Sequence, residues 1–216
     1  MADYFTPYNQ DYLNRIDADL GSGGVLLLPD QSGPHQHLLV QAGKEGTIYL
    51  IDRDKMGHFN PNNNNQIVQS LDSAIGGMWA MPAWWNNNVY FGGTGDYLAQ
   101  FAFNPTTGLL STTSVSDSPT FFNYPGPTPS ISANGTTNAI VWALQTDSYG
   151  NGSAVLHAYD ATNLAKELYN STQNASRDDP GGAVKFTVPT IINGKVYVPA
   201  VQKLSVYGLL GGKGTK

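Results

Sequence analysis

The chain has 216 residues, of which 40 % are hydrophobic, 11 % aromatic and only 12 % charged, and it contains 24 Gly and 13 Pro. Many turn formers and few charges favour short strands over long helices. The net charge of −5 argues against a nucleic-acid partner, which needs a basic surface. The absence of Cys excludes disulfides and thiolate chemistry. No apolar run is long enough to predict a membrane span.

A repeated strand–turn–strand pattern runs through the chain after a single predicted strand at residues 3–7. The two best copies match residue for residue, since both begin with Pro and reach Val-Tyr after an Asn-led turn. Such a pattern is typical of a β-hairpin. The four copies lie at residues 25–40, 82–90, 129–142 and 189–197.

Each hairpin is followed by a polar or Gly-rich break and a third strand, and the first three units continue into a fourth strand. The third strands are predicted at residues 47–52, 97–104, 155–160 and 204–208. Their ends recur about every 50 residues, close to the repeat of four-stranded propeller blades. The sequence therefore predicts an all-β propeller of four-stranded antiparallel blades, about four per chain. The predicted units are 21–72, 73–118, 119–180 and the three-stranded 181–210, followed by a tail at 211–216.

The two ends of the chain suggest how a ring could close. The last unit lacks an outer strand, and residues 1–20 supply a strand and lead-in that could complete it, which would remove two exposed sheet edges. Closure in cis gives a four-bladed ring, and closure in trans gives a homodimer with eight blades around a two-fold axis. We favour closure in trans, while a fragment whose other blades lie elsewhere remains the alternative.

The third-strand segments resemble the PQQ repeat of quinoprotein-type propellers, in which Ala-x-Asp-x-x-Thr-Gly ends a strand and docks a Trp. Residues 102–108 give the best match, with Asn104 in place of Asp, and residues 158–164 keep Asp160 but lose Thr-Gly. Thr112 and Leu168 stand where the Trp is expected. Residues 37–54 also resemble exported bacterial propellers, of which this chain would form the C-terminal half.

The resemblance implies a periplasmic or extracellular location for the parent protein, although no signal peptide precedes Met1. It also raises a PQQ-dependent dehydrogenase as a remote alternative. The degenerate docking motif and the missing Cys pair of some alcohol-oxidising members make PQQ an unlikely cofactor.

In propellers, ligands usually sit where the loops meet at one mouth of the central channel, so we searched those predicted loops. Carboxylates from several blades could there hold Ca²⁺, which takes about six to eight oxygen ligands, although Asp residues also cap turns. Such an ion could polarise an ester carbonyl. The candidates are Glu45, Asp96 and Asp147 for catalysis; Lys44, Trp79, Tyr124, Tyr149 and Gln202 for ligand binding; and Asp17, Asp19, Asp72 and Asp178 for a metal.

Two functions follow from these candidates. The first is an exported binding or scaffold module that holds a small molecule, a glycan or a protein on its loop face. The second is a Ca²⁺-dependent hydrolase of lactones or esters. The first is preferred because no catalytic motif is visible, although propellers scatter their catalytic residues among blades and host many activities.

Overall fold

The computed structural model describes residues 1–210, so the predicted tail at 211–216 lies outside the described residues. The chain begins with strand β1 (Phe5–Thr6), helix α1 (Gln10–Arg15) and a 3₁₀ turn over Leu20–Ser22. The first sheet contains β2 (Leu26–Leu27), β3 (Leu38–Ala42), β4 (Ile48–Asp52) and β6 (Gln69–Leu71), with β5 (His58–Phe59) in the connection between β4 and β6.

Three further antiparallel sheets follow in chain order. The second contains β7 (Ala83–Trp85), β8 (Asn88–Gly92) and β9 (Asp96–Asn104), and β9 also pairs with β10 (Leu109–Leu110) and β11 (Ser116–Phe122). The third contains β12 (Ser130–Asn134), β13 (Thr137–Gln145), β14 (Val155–Asp160) and β15 (Asn163–Asn170). The fourth contains β16 (Thr190–Ile192), β17 (Lys195–Ala200) and β18 (Lys203–Tyr207), preceded by a 3₁₀ turn (Ser171–Asn174) and α2 (Ala175–Asp178).

The chain is therefore all-β, and its hairpins lie where the Asn-led turns predict them. Asn86 and Asn87 join β7 to β8 with φ of 45° and 58°, and Asn193 and Gly194 join β16 to β17 with φ of 51° and 69°. Two residues with positive φ produce the turn whose twist matches paired strands. One unit is longer than predicted, since β11 continues past residue 118 to pair with the start of β9.

The four sheets bury their faces against one another in chain order. One apolar cluster joins the first and second sheets, a second joins the second and third, and a third joins the third and fourth. Alternate residues of β8 serve different interfaces, because Val89 and Phe91 face the first sheet whereas Tyr90 faces the third. No helix in residues 1–210 has the length and apolarity needed to cross a membrane.

The predicted partner of the N-terminal strand is wrong. β1 does not complete the last sheet but pairs in parallel with β5. Phe5 packs against Tyr49 with ring centroids 5.2 Å apart, and Tyr4 stacks on His58 at 4.8 Å. The reason is burial, since the outer face of the first sheet, with Tyr49 and Ile51, needs an apolar cover that this segment provides. Within residues 1–210, β1 therefore does not close a ring in cis.

The fourth sheet, in contrast, leaves its outer face uncovered. Ile192, Leu204 and Val206 are 55 %, 63 % and 50 % exposed, and among the described residues no strand lies beside β18. Pro199, which lies opposite Leu204, has no N–H, so this pair is not hydrogen-bonded. The backbone groups of Leu204 and Val206 therefore point away from β17, towards a free sheet edge.

Gly92 marks a place where two segments of backbone touch. A Cβ at Gly92 would overlap the carbonyl oxygen of Pro127, in the connection between the second and third sheets. We predict that Gly92→Ala lowers the free energy of unfolding by about 1–3 kcal/mol, measured by urea denaturation. The matched control is Gly21→Ala, which meets no atom within 4 Å and should change stability by less than about 0.5 kcal/mol. Equal stabilities of the two variants would contradict the tight contact.

Candidate functional site

The connections between sheets meet the turns between second and third strands along one edge of the stack, which we call the loop face. Backbone hydrogen bonds tie the two kinds of segment together. The N–H of Lys44 donates to Asp19 O, in the lead-in to the first sheet, at 3.1 Å, that of Thr94 to Gly77 O at 2.8 Å, and that of Val201 to Gly182 O at 2.9 Å. Because the same contact recurs from sheet to sheet, side chains from different sheets are brought close together on this face.

Four aromatic side chains form a cluster on the loop face, and Tyr124 lies at its centre. Its ring centroid is 5.2 Å from that of Trp79 and 6.1 Å from those of both Tyr149 and Phe186. The ammonium of Lys185 lies 4.7 Å from the centre of the Tyr149 ring and 5.8 Å from that of Tyr124. We call these five residues the aromatic cluster.

The cluster is open to solvent and includes a strained residue. Tyr124 and Tyr149 are each 37 % exposed and Phe186 is 50 % exposed, so a ligand could reach their rings. Phe186 has a φ of 64°, which is unfavourable for a bulky side chain and costs about 1–3 kcal/mol. Strained backbone conformations cluster at binding sites. They persist there because the surrounding structure compensates for their energetic cost.

Sequence reasoning named three members of this cluster and missed two. Trp79, Tyr124 and Tyr149 were candidates for ligand binding, and the structure brings them together. Lys185 and Phe186 were missed because they lie in an irregular connection without repeat or motif. Their position in the chain could have predicted them, because the connections that precede the second and third sheets each contribute an aromatic residue to the cluster. Gln202, the remaining candidate for ligand binding besides Lys44, is an exposed turn residue with φ of 54°.

A chain of polar side chains runs from the loop face into the third sheet. Asp147 Oδ2 accepts hydrogen bonds from Gln145 Nε2 at 3.0 Å and from Asn123 Nδ2 at 3.3 Å. Behind them, His157 Nδ1 lies 2.6 Å from Glu167 Oε1, and His157 Nε2 lies 3.3 Å from Gln145 Oε1. Asp147 is thus held next to the residue that precedes Tyr124.

His157 is buried, and burial lowers the pKa of its imidazole, although the Glu167 carboxylate opposes the shift. With the ring neutral, Nδ1–H donates to Glu167, and Nε2 then faces the Gln145 oxygen as a second acceptor. This arrangement accounts for the longer of the two distances. The polar chain therefore positions Gln145 and Asp147 without a buried imidazolium.

The other predicted carboxylates are occupied by partners of their own. Glu45 accepts hydrogen bonds from Asn9 at 2.7 Å, Thr47 at 3.0 Å and Tyr49 at 3.2 Å. Asp96 accepts the backbone N–H of Gly76 at 2.7 Å. The three catalytic candidates, Glu45, Asp96 and Asp147, thus stand in three separate hydrogen-bond networks.

The metal candidates likewise fail to form one set. Lys44 Nζ lies 2.7 Å from Asp19 Oδ2 and 2.9 Å from Asp17 Oδ2, and these bonds raise the pKa of the Lys44 ammonium. Asp178 pairs with Arg177, which lowers the pKa of that carboxyl, while Asp72 accepts from Ser70. Among residues 1–210 no three His, Asp or Glu side chains are grouped to hold a metal. The two neighbouring carboxylates, Asp17 and Asp19, bind the Lys44 ammonium in this structure.

A cleft of about 870 Å³ opens between the third and fourth sheets. Its lining includes both apolar side chains and the Arg177–Asp178 pair. It is separate from the aromatic cluster and holds only Asp178 of the predicted site residues. The apolar residues that line it include Ile140, Trp142, Ile191, Val196 and Tyr207.

No known family model matches the chain, and no curated protein matches it. Solved structures that resemble it include two computationally designed proteins. The Ika8 protein has 13 % sequence identity and a TM-score of 0.50, over 80 % of this chain and 43 % of that one. The Ika4 protein has 14 % identity and a TM-score of 0.48, over 85 % and 91 % of the two chains. The present chain thus spans less than half of Ika8, and this likeness concerns the fold alone.

The lowered pKa of His157 predicts a pH dependence of stability. Below its ordinary pKa of about 6.5, the imidazole takes up a proton more readily in the unfolded chain than in the folded one. Stability should therefore fall as the pH drops below about 6.5, by at most about 1.4 kcal/mol per pH unit. Urea titrations of wild type and His157→Asn between pH 7.5 and 5 measure this, since the variant should lose that part of the slope. Parallel pH profiles would contradict the assignment.

Proposed function

We propose that this chain is a run of β-propeller blades that acts as a binding module, with its ligand seated on the aromatic cluster of the loop face. The observation that carries the proposal is the convergence of aromatic side chains from three separate sheet connections and one turn. Exposed aromatic rings supply large contact areas at small entropic cost and dominate binding energies.

The propeller architecture is supported by the way the sheets are joined. The sheets pack face to face in chain order, and the connection to each next sheet crosses to the same edge of the stack. The residues at that edge come from loops, which tolerate variation and often carry binding residues. The resemblance to exported bacterial propellers supports the further proposal that the parent protein works outside the cytoplasm.

No observation favours the calcium-dependent hydrolase or the quinone-dependent dehydrogenase. Asp17 and Asp19 share the ammonium of Lys44, Glu45 accepts a hydrogen bond from Asn9, and Asp96 accepts one from the backbone of Gly76. These carboxylates hold separate segments of the chain together, whereas the aromatic cluster offers exposed ring surface.

The uncovered fourth sheet supports completion of the structure by a second copy of the chain. Its outer face is apolar, and its edge strand β18 has free backbone groups. An eight-bladed ring requires the first sheet of one chain to pack on the fourth sheet of its partner. The N-terminal segment that covers the first sheet would have to move before this contact could form. Two fourth sheets can instead pack on each other around a two-fold axis without this change.

The binding proposal predicts that truncation of one ring of the cluster weakens a ligand. A suitable panel contains chitopentaose, cellopentaose, neutral pentapeptides and choline, screened by saturation-transfer NMR against the full chain. We expect at least one member to bind, and Tyr149→Ala to weaken it about 5- to 30-fold, corresponding to about 1–2 kcal/mol.

The matched control for this experiment is Tyr97→Ala, which removes an exposed Tyr that packs on Phe121, outside the aromatic cluster. Binding to this variant should equal that of wild type. A ligand that binds equally to Tyr149→Ala, or a panel without any binder at millimolar concentration, would contradict the proposed function.

The association proposal predicts a particle of about twice the chain mass of 23.2 kDa in light scattering. Leu204→Glu with Val206→Glu should return it to the mass of one chain, because two charges on the apolar face oppose burial. The control Leu168→Glu changes an exposed side chain of the third sheet and should leave the mass unchanged. A wild-type particle of one chain mass refutes the association.

A further inference from the structure

We propose that the aromatic cluster recognises a cationic group, an ammonium or quaternary ammonium, at the position that the Lys185 ammonium holds in this structure. This inference rests on the proposed function, since it assigns the ligand class of the same site. It rests on three observations: the angles between the rings, the position of Lys185 and the net charge of the chain.

The rings form walls at right angles and do not form a flat platform. The plane of Tyr124 makes angles of 89° with Trp79, 76° with Tyr149 and 88° with Phe186. A sugar ring stacks on one broad aromatic face, whereas walls at right angles can surround a compact group from several sides. The electron-rich faces of such walls attract positive charge.

Lys185 shows that a cation is stable at this place. Its Nζ lies within the distance of about 6 Å at which a cation interacts with a ring face, for both Tyr149 and Tyr124. The ion pairs of the described residues do not include Lys185. The position of the ammonium is thus accounted for by the rings and not by a carboxylate.

The Lys185 side chain can be replaced without damage to the fold. It is exposed, and it lies in a connection whose neighbours Val184, Phe186 and Val188 are also exposed. An exposed cation–π contact is weak, so a ligand that brings its own cation can displace the Lys185 ammonium. The chain's net charge of −5 favours the approach of such a ligand.

The occupant is therefore a ligand with a positively charged head group, and Lys185 competes with it from within the chain. This role differs from that of Lys44, which two carboxylates hold. Removal of the Lys185 charge should open the site, whereas removal of a ring should destroy it. These opposite effects distinguish the proposal from simple apolar binding.

The test compares choline with its neutral isostere 3,3-dimethylbutan-1-ol by NMR titration of the full chain. We expect choline to bind at least tenfold more tightly than the isostere. Lys185→Met, which keeps the length and removes the charge, should tighten choline binding about two- to fivefold. Tyr149→Leu should weaken it about tenfold. The control Lys195→Met removes an exposed charge from the fourth sheet and should bind as wild type does.

The outcomes separate this inference from the proposed function. If the isostere binds as well as choline and Tyr149→Leu weakens both, the cluster is an apolar site and the cation inference is overturned. If another member of the panel binds at the cluster but choline does not, the inference fails while the binding function stands. If nothing binds there, both fail.

Discussion

Contact between backbones on the loop face holds the arrangement of the four sheets. Sheets buried on both faces can slide against one another, because apolar contacts have little directional preference. Hydrogen bonds such as that from Thr94 to Gly77 and the close approach of Gly92 to Pro127 remove this freedom. They fix each turn against the connection to the neighbouring sheet. The aromatic cluster follows from the same constraint, since its members project from segments that are locked in place.

Local chemistry made much of the fold predictable from the sequence. The turn at Asn86 and Asn87 needs positive φ at both positions, a requirement that Asn meets more readily than most residues. The sequence therefore predicts this turn without coordinates. The pairing of β1 was not readable, because Phe5 can add to any sheet with an apolar face. β1 pairs with β5 because this position lets Phe5 cover Tyr49 and Ile51 on the outer face of the first sheet. The need for this cover becomes visible only in the folded chain.

The candidate site was predictable in position but not in chemistry. The loops of the repeat units offered Tyr124 and Tyr149 as candidates, and the structure places their rings next to each other, because sheet connections and the turns between second and third strands lie at one edge of the stack. It could not assign the carboxylates, since an Asp that caps a turn and an Asp that binds a metal look alike in sequence. The partner decides between them, and for Asp17 and Asp19 the partner is Lys44, 25 or more residues away along the chain.

The two ends of the stack differ, and this difference limits how copies of the chain can associate. Residues of the N-terminal segment, among them Phe5 and Leu20, shield the first sheet, whereas within residues 1–210 no strand lies beside β18 and the outer face of the fourth sheet is exposed. Repeated head-to-tail addition needs two exposed and complementary surfaces, one at each end of the stack. The covered first sheet does not offer the second surface. Association through the fourth sheet alone would stop once two copies had met, so the covered first sheet opposes growth into fibres.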